Sequence, residues 1–212
     1  MNSSHSDHDL VASFLAERRI DAAEPDIAFI ELAHAVAAIP WGEARTVTDV
    51  FAKGIGTCRG KHRVFLAACE QLGIVARPVV CTFHWQEQEI RYPRGLRDFL
   101  AEHHWPQNHT FVQVQTPRSP EPKARGEAGW IDVDLTWDPA LKPYGFWTFP
   151  EDWDGEHSFH AVTFLERWDG ADIQAKIDEL VNDLSPDQRS AQEHFLREFI
   201  AWVASLRPRK TA

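Results

Sequence analysis

The chain has 212 residues, with 32 acidic against 22 basic side chains and a formal net charge of −10. That excess of negative charge argues against a nucleic-acid backbone or an anionic membrane surface as partner, and no apolar run approaches the length that spans a bilayer. MNSSHSDHDLVASF has no basic start followed by an apolar run, and the three cysteines, Cys58, Cys69 and Cys81, are too few and too unevenly placed for a disulfide framework. The expected setting is therefore a reducing cytoplasm.

Residues 9–18 predict a helix, with Leu10, Val11, Phe14 and Leu15 as its apolar stripe. Pro25 suits the first position of a second helix, which Ile27, Ile30, Ala33 and Ala37 continue until Pro40 stops it. His34 borders that stripe and reads as a packed side chain rather than a ligand. Thr46 followed by Asp49 resembles a capping box opening a short helix that ends at Gly54. These helices are expected to cover the one that follows.

The stretch GIGTCRGKHRVFLAACEQLGIVARPVV, residues 54–80, reads as a turn, a helix and a strand. Gly54 and Gly56 give the backbone freedom to turn, and Thr57 is placed to cap the helix. Val64, Phe65, Ala68 and Leu72 form its buried face and Gly73 ends it. Cys58 and Cys69 lie three helical turns apart, roughly 16 Å by helix rise, too far to bridge. A thiol at the positive end of a helix dipole is one whose ionised form is favoured. Cys69 and Cys81 sit in apolar runs and read as core.

A strand is expected over 74–83 and a short amphipathic helix over 96–103. NHTFVQVQ (108–115) and GWIDVDL (129–135) both alternate, which marks half-exposed strands. The proline- and charge-rich TPRSPEPKARGEA between them reads as the long tip of an antiparallel hairpin. WDPALKPYGFWTFPEDWDGEH follows as an aromatic loop, with a further strand expected over 159–165. Helices are expected over 171–184 and from Ser185 and Pro186 onward, with Phe195, Phe199, Trp202 and Leu206 as the last stripe. The closing RPRK reads as a solvated helix end. Most of the nine tryptophans read as core or rim packing. With no repeat, linker or low-complexity tract, one domain over 1–212 is expected.

The hairpin faces bring two polar groups together. Thr110, Val112 and Val114 point one way, with Ile131, Val133 and Leu135 of the partner strand. His109, Phe111 and Gln113 point the other way, with Trp130, Asp132 and Asp134. Counting back from the loop sets His109 opposite Asp134, with Asp132 as the fallback partner if the ladder bulges. Laying the cysteine helix against that polar face yields a set of three: Cys58 as nucleophile, His109 as base and Asp134 as the group that orients the imidazole. The Cys58 N–H is placed to help stabilise an oxyanion.

GTCRGKHRVFLAACEQLGIVARPV, NHTFVQV and GWIDVDLTWDP, in that order over about 47–139, resemble the transglutaminase-like superfamily of papain-type cysteine enzymes. The resemblance implies an α+β fold of the papain-like, transglutaminase-core kind, with the cysteine helix on an antiparallel sheet and extra helices at both ends. It implies the same three roles for Cys58, His109 and Asp134, and hence acyl transfer from a peptide or amide substrate through a Cys58 thioester. Hydrolysis is the leading expectation. Transamidation, or a non-catalytic binding module, is the alternative. Thr110 and Phe111 stand where the family has a small residue and an aromatic one, and Leu135 stands where proline is common. Some members use an upstream tryptophan as a second oxyanion donor, for which Trp41 is the candidate here.

No cofactor and no metal is expected. Cys58 and His62 form an i, i+4 pair that suits a metal, but the His62 ring serves equally to cap or shield the site; His103, His104 and His109 with Asp132 match no common ligand spacing, and DVDLTWDPA lacks the glycine and glutamate of a calcium loop.

Overall fold

A computed structural model describes residues 3–21, 23, 25–116 and 129–207. Helices α1 (Ser3–Arg18), α2 (Pro25–Ala37) and α3 (Val47–Lys53) surround helix α4 (Cys58–Gln71). Their buried residues, among them Val11, Phe14, Leu32, Val36 and Val50, share one apolar cluster with Val64, Phe65 and Ala68 of α4. The local signals act where they were read. The Thr46 side chain accepts from the Asp49 N–H, and Gly54 closes α3 at a φ of 63°. The Thr57 side chain accepts from the Gly60 N–H to open α4. Gly56 plays a different part from the one expected: its φ is not positive, but a Cβ there would stand 2.8 Å from Lys61 Cγ. It is small for space, not for rotation.

Strands β1 (Ala76–Phe83), β2 (Gln107–Thr116), β3 (Gly129–Val133) and β4 (Arg167–Asp169) form an antiparallel sheet in the order β3-β2-β1-β4. Helix α5 (Arg94–Glu102) lies between β1 and β2 in the chain, so the architecture is α+β. The expected hairpin tip at 117–128 lies outside the described residues. The strand expected over 159–165 does not form. Phe159 exchanges hydrogen bonds with the end of β3, donating to the Asp132 carbonyl (2.8 Å) and accepting from the Asp134 N–H (3.2 Å). The chain then bends toward the Asp134 side chain, and the edge strand forms further on as β4.

Two expectations about the hairpin are corrected. Gln113 pairs with Asp132 and Thr116 with Gly129. Extended along the strands, this register sets His109 opposite Thr136, two residues from the expected Asp134. The slip keeps every side chain on its face, because the period of a strand is two. Helix α4 also packs on the other face. Val112, Val114, Ile131 and Val133 share its core, whereas Phe111 packs on the far side with Val79, Cys81 and Phe164. An apolar stripe seeks apolar surface, which Val112, Val114, Ile131 and Val133 offer, whereas the opposite face also carries the Asp132 and Arg167 charges. That far face is strapped by Arg167 of β4, which reaches across two strands to Asp132 of β3 (2.8 and 3.1 Å) over the ring of Phe111.

Helices α6 (Ile173–Asn182) and α7 (Pro186–Ser205) complete the chain. A capping box between Ser185 and Gln188 opens α7. Phe195, Phe199 and Val203 form its buried stripe, with Trp202 and Leu206 only partly covered, and they join Trp41, Trp85, Trp105, Trp137 and Phe146 in a second, aromatic cluster. Arg207, expected in a solvated end, instead donates to the Trp41 carbonyl (2.7 Å) and pairs with Asp138. No described helix is long and apolar enough to cross a membrane.

Gly60 carries the closest approach around α4. A Cβ there would stand 2.3 Å from the Ala44 carbonyl oxygen, which already accepts from the Thr57 N–H and hydroxyl. Alanine in a helix gains about 1 kcal/mol over glycine, but a clash with backbone costs about 3 kcal/mol. Gly60→Ala is therefore expected to lose about 2 kcal/mol of stability, the difference of those two effects, as measured by urea denaturation.

Candidate active site

Cys58 occupies the first position of α4, half-buried, where its N–H has no intrahelical acceptor and the helix dipole is positive. β2 begins, and β1 and β3 end, at this edge of the sheet. His109 near the start of β2 and Asp134 just past the end of β3 thereby reach the first turn of α4.

His109 donates from Nε2 to Asp134 Oδ2 at 2.8 Å, which leaves Nδ1 for the sulfur. The Asp134 carboxylate is buried and takes three further hydrogen bonds. The Ala161 N–H reaches Oδ2 (3.0 Å), and the Thr136 hydroxyl (2.6 Å) and N–H (3.2 Å) reach Oδ1. Burial alone would raise this carboxyl, but the His109 imidazolium and these donors hold it well below the usual carboxylate range. Burial alone would lower His109, yet the charges of Asp134 and Cys58 push it up to about 10. Burial would likewise raise the Cys58 thiol, but the charge and hydrogen bond of His109, with the N–H of Thr110, bring it down to about 7. Thr110, the residue that departs from the family pattern, thus stands beside the sulfur. Cys69 and Cys81, buried without such partners, are pushed up instead.

Asp132, the fallback partner for His109, is taken elsewhere. Besides Arg167 it binds His160 Nε2 at 2.7 Å, on the far face of the sheet. His103 lies exposed against the Phe99 ring (4.3 Å between centroids). Among the described residues no group of three or more His, Cys, Asp and Glu side chains is arranged to hold a metal ion.

Two residues of the GTCRGKH stretch have a role that spacing alone did not reveal. His62 Nε2 accepts from the Leu135 N–H (2.8 Å), so its proton sits on Nδ1. Lys61 Nζ donates to the carbonyls of Ala37 (2.9 Å) and Thr136 (3.1 Å). Both side chains are fully buried. Burial, outweighing the nearby Asp134 charge, pushes His62 down to about 3, so the ring stays neutral and able to accept. Together they clamp the 134–136 turn to the cysteine helix without passing through His109.

Cys58 and His109 line a cavity of about 280 Å³. Trp41, its candidate oxyanion donor, lies on the wall, and Trp137 is the member of the aromatic loop that reaches it. The rest of that loop packs elsewhere, Trp153 against Phe29 of α2 (5.1 Å) and Phe146 in the cluster with α7. The opposite wall is built by Ile177 and Val181 of α6 and Leu196 and Ile200 of α7. Nothing in the sequence pattern distinguished these residues from ordinary core stripes.

Residues 30–135, half of the chain, match the family model described as transglutaminase-like superfamily. No curated protein matches the chain.

His62→Leu leaves the Leu135 N–H buried without an acceptor, which costs about 1–3 kcal/mol. Urea denaturation is expected to show that loss. His62→Gln, which keeps an acceptor, should recover part of it and hold the Cys58 alkylation midpoint nearer the parent value than the leucine variant does.

Proposed function

The chain belongs to the transglutaminase-like superfamily, and from that membership and the charge pattern around Cys58 we propose a cysteine-dependent acyl-transfer enzyme that hydrolyses an amide or peptide bond. The observation that carries this reading is geometric: Cys58 opens α4 beside His109, whose ring is held by Asp134 at 2.8 Å, and in that setting the thiol is drawn down to about 7 and the imidazole pushed up to about 10. Between those values sulfur is a thiolate and His109 an imidazolium, the form in which one attacks and the other donates.

The Cys58 thiolate adds to the substrate carbonyl carbon, and the oxyanion is met by the Cys58 N–H, with Trp41 as the second candidate donor. The C–N bond breaks as His109 Nδ1 gives its proton to the departing amine, leaving a thioester on Cys58. Water then adds to the thioester, its proton passing to His109, and the C–S bond breaks to release the acid and regenerate the thiolate. Asp134 holds the ring orientation throughout and balances the imidazolium charge. Among the described cavities one meets Cys58, which supports a single organic substrate with water as acceptor. A half-buried sulfur on an open cavity also supports an enzyme over a sealed binding module.

The pH dependence follows in sign from the two groups. Activity rises as pH passes about 7, where the thiolate forms, and falls as it passes about 10, where the imidazolium is lost. Iodoacetamide alkylation of Cys58 is expected to show a midpoint near 7. In His109→Ala burial loses its main opponent, so the midpoint should move up to or above the free-thiol value of about 8.5, with hydrolysis falling about 10²–10⁴-fold. A midpoint at the free-thiol value in both proteins would overturn the reading.

A further inference from the structure

The wall opposite Cys58 narrows what the site can take, and it is part of the fold rather than a lid. The Ser185–Gln188 capping box starts α7, Arg189 donates to the Val181 carbonyl of α6 (3.2 Å), and Arg207 ties the far end to Trp41 and Asp138. Between these anchors Leu196 and Ile200 face the cavity.

We propose that the acyl group transferred to Cys58 is short and apolar, of the size of a phenylacetyl group, and is delivered by a small molecule rather than by a side chain of a protein. This rests on the acyl-transfer reading and adds the substrate class. The first support is size. The cavity of about 280 Å³ lies at the lower end of ligand pockets, which run from about 300 Å³. At about 30 Å³ for each water, it holds roughly nine water-sized groups, and a phenylacetyl group has about that many non-hydrogen atoms.

The second support is the lining. Trp41, Phe83, Trp85 and Trp137 are its buried aromatic residues, and rings of this kind pack well against a flat apolar group. A glutamine side chain would leave much of this space unfilled.

The third support is the buried polar part of the lining. The buried polar residues away from Cys58 and His109 include Gln107 and Gln192, both neutral. Gln107 Oε1 accepts from Trp85 (3.3 Å), Trp105 (3.2 Å) and Gln192 (3.3 Å), while its Nε2 donates to the Asn108 carbonyl (3.2 Å). That amide is committed to the protein and offers no countercharge to a buried ion. Three charged residues also line the cavity: Arg45 and Glu193, both exposed, and Arg59, half-buried next to Cys58 with one N–H given to Gln174 (3.0 Å).

The test uses the full-length protein and a graded series of p-nitrophenyl esters carrying acetyl, hexanoyl, phenylacetyl and decanoyl groups, with acylation of Cys58 followed by intact mass and nitrophenol release. Phenylacetyl and hexanoyl are expected to react at least tenfold faster than acetyl or decanoyl. Ile200→Trp should reduce the phenylacetyl-to-acetyl ratio at least tenfold, and Leu196→Ala should move the optimum toward decanoyl. In parallel, phenylacetamide and acetamide are titrated into Cys58→Ala protein by tryptophan fluorescence. Phenylacetamide should bind at least tenfold tighter than acetamide. Selective binding without acylation would support the pocket assignment and overturn the acyl-transfer reading. Acylation at equal rates across the series, unmoved by Ile200→Trp, would overturn the pocket assignment and leave that reading standing. Absence of selective binding to Cys58→Ala protein would also overturn the pocket assignment.

Discussion

A carboxylate has room for about four hydrogen bonds, and Asp134, buried beneath the sheet end, has four. His109 and the Ala161 N–H fill one oxygen, and the Thr136 hydroxyl and N–H fill the other. These donors come from β2, from the turn after β3 and from the segment that follows the aromatic loop. A buried charge left short of partners is costly, so each of those stretches is held where the carboxylate needs it. The failed strand at 159–165 has the same origin: its backbone serves β3 and Asp134 instead of forming a ladder.

The charges around this carboxylate are arranged in opposing pairs. His109 lies between Asp134 and Cys58, so one imidazolium balances a permanent anion on one side and a titrating one on the other. Lys61 stands behind, pushed down to about 7 by burial against the pull of Asp138 and Asp134, and spends its donors on two carbonyls. His62 beside it stays neutral because its ring accepts where a cation could not. The two adjacent residues therefore do different work on the same turn, one as donor and one as acceptor. The clamp fixes the distance between the cysteine helix and the carboxylate independently of the histidine that links them.

Much of this was legible in the chain because it is local. The Thr46 and Thr57 caps, the Gly54 stop and the Ser185–Gln188 box each depend on residues within one helical turn. The alternation of 108–115 and 129–135 separated the two faces of the hairpin correctly. It could not choose between registers two residues apart, since both place His109 and Asp134 on one side. Asp134 reaches His109 from past the end of β3, not from the rung opposite. Nor did the pattern of polar residues indicate which face the helix would take. The apolar stripe of α4 decided that against Val112, Val114, Ile131 and Val133, and the polar pair meets the cysteine at the end of the sheet.

By itself the sequence determined the helices, the strands β1 to β3, most of their ends and the identity of Cys58, His109 and Asp134 as residues to bring together. Those follow from short-range periodicity, capping and ordered motifs. The tertiary structure alone decided the far wall of the cavity, the work of Lys61 and His62, and the anchoring of Arg207. Each of these joins residues that lie far apart in the chain, such as Trp41 and Arg207, and becomes visible only when packing has chosen which stripe meets which face.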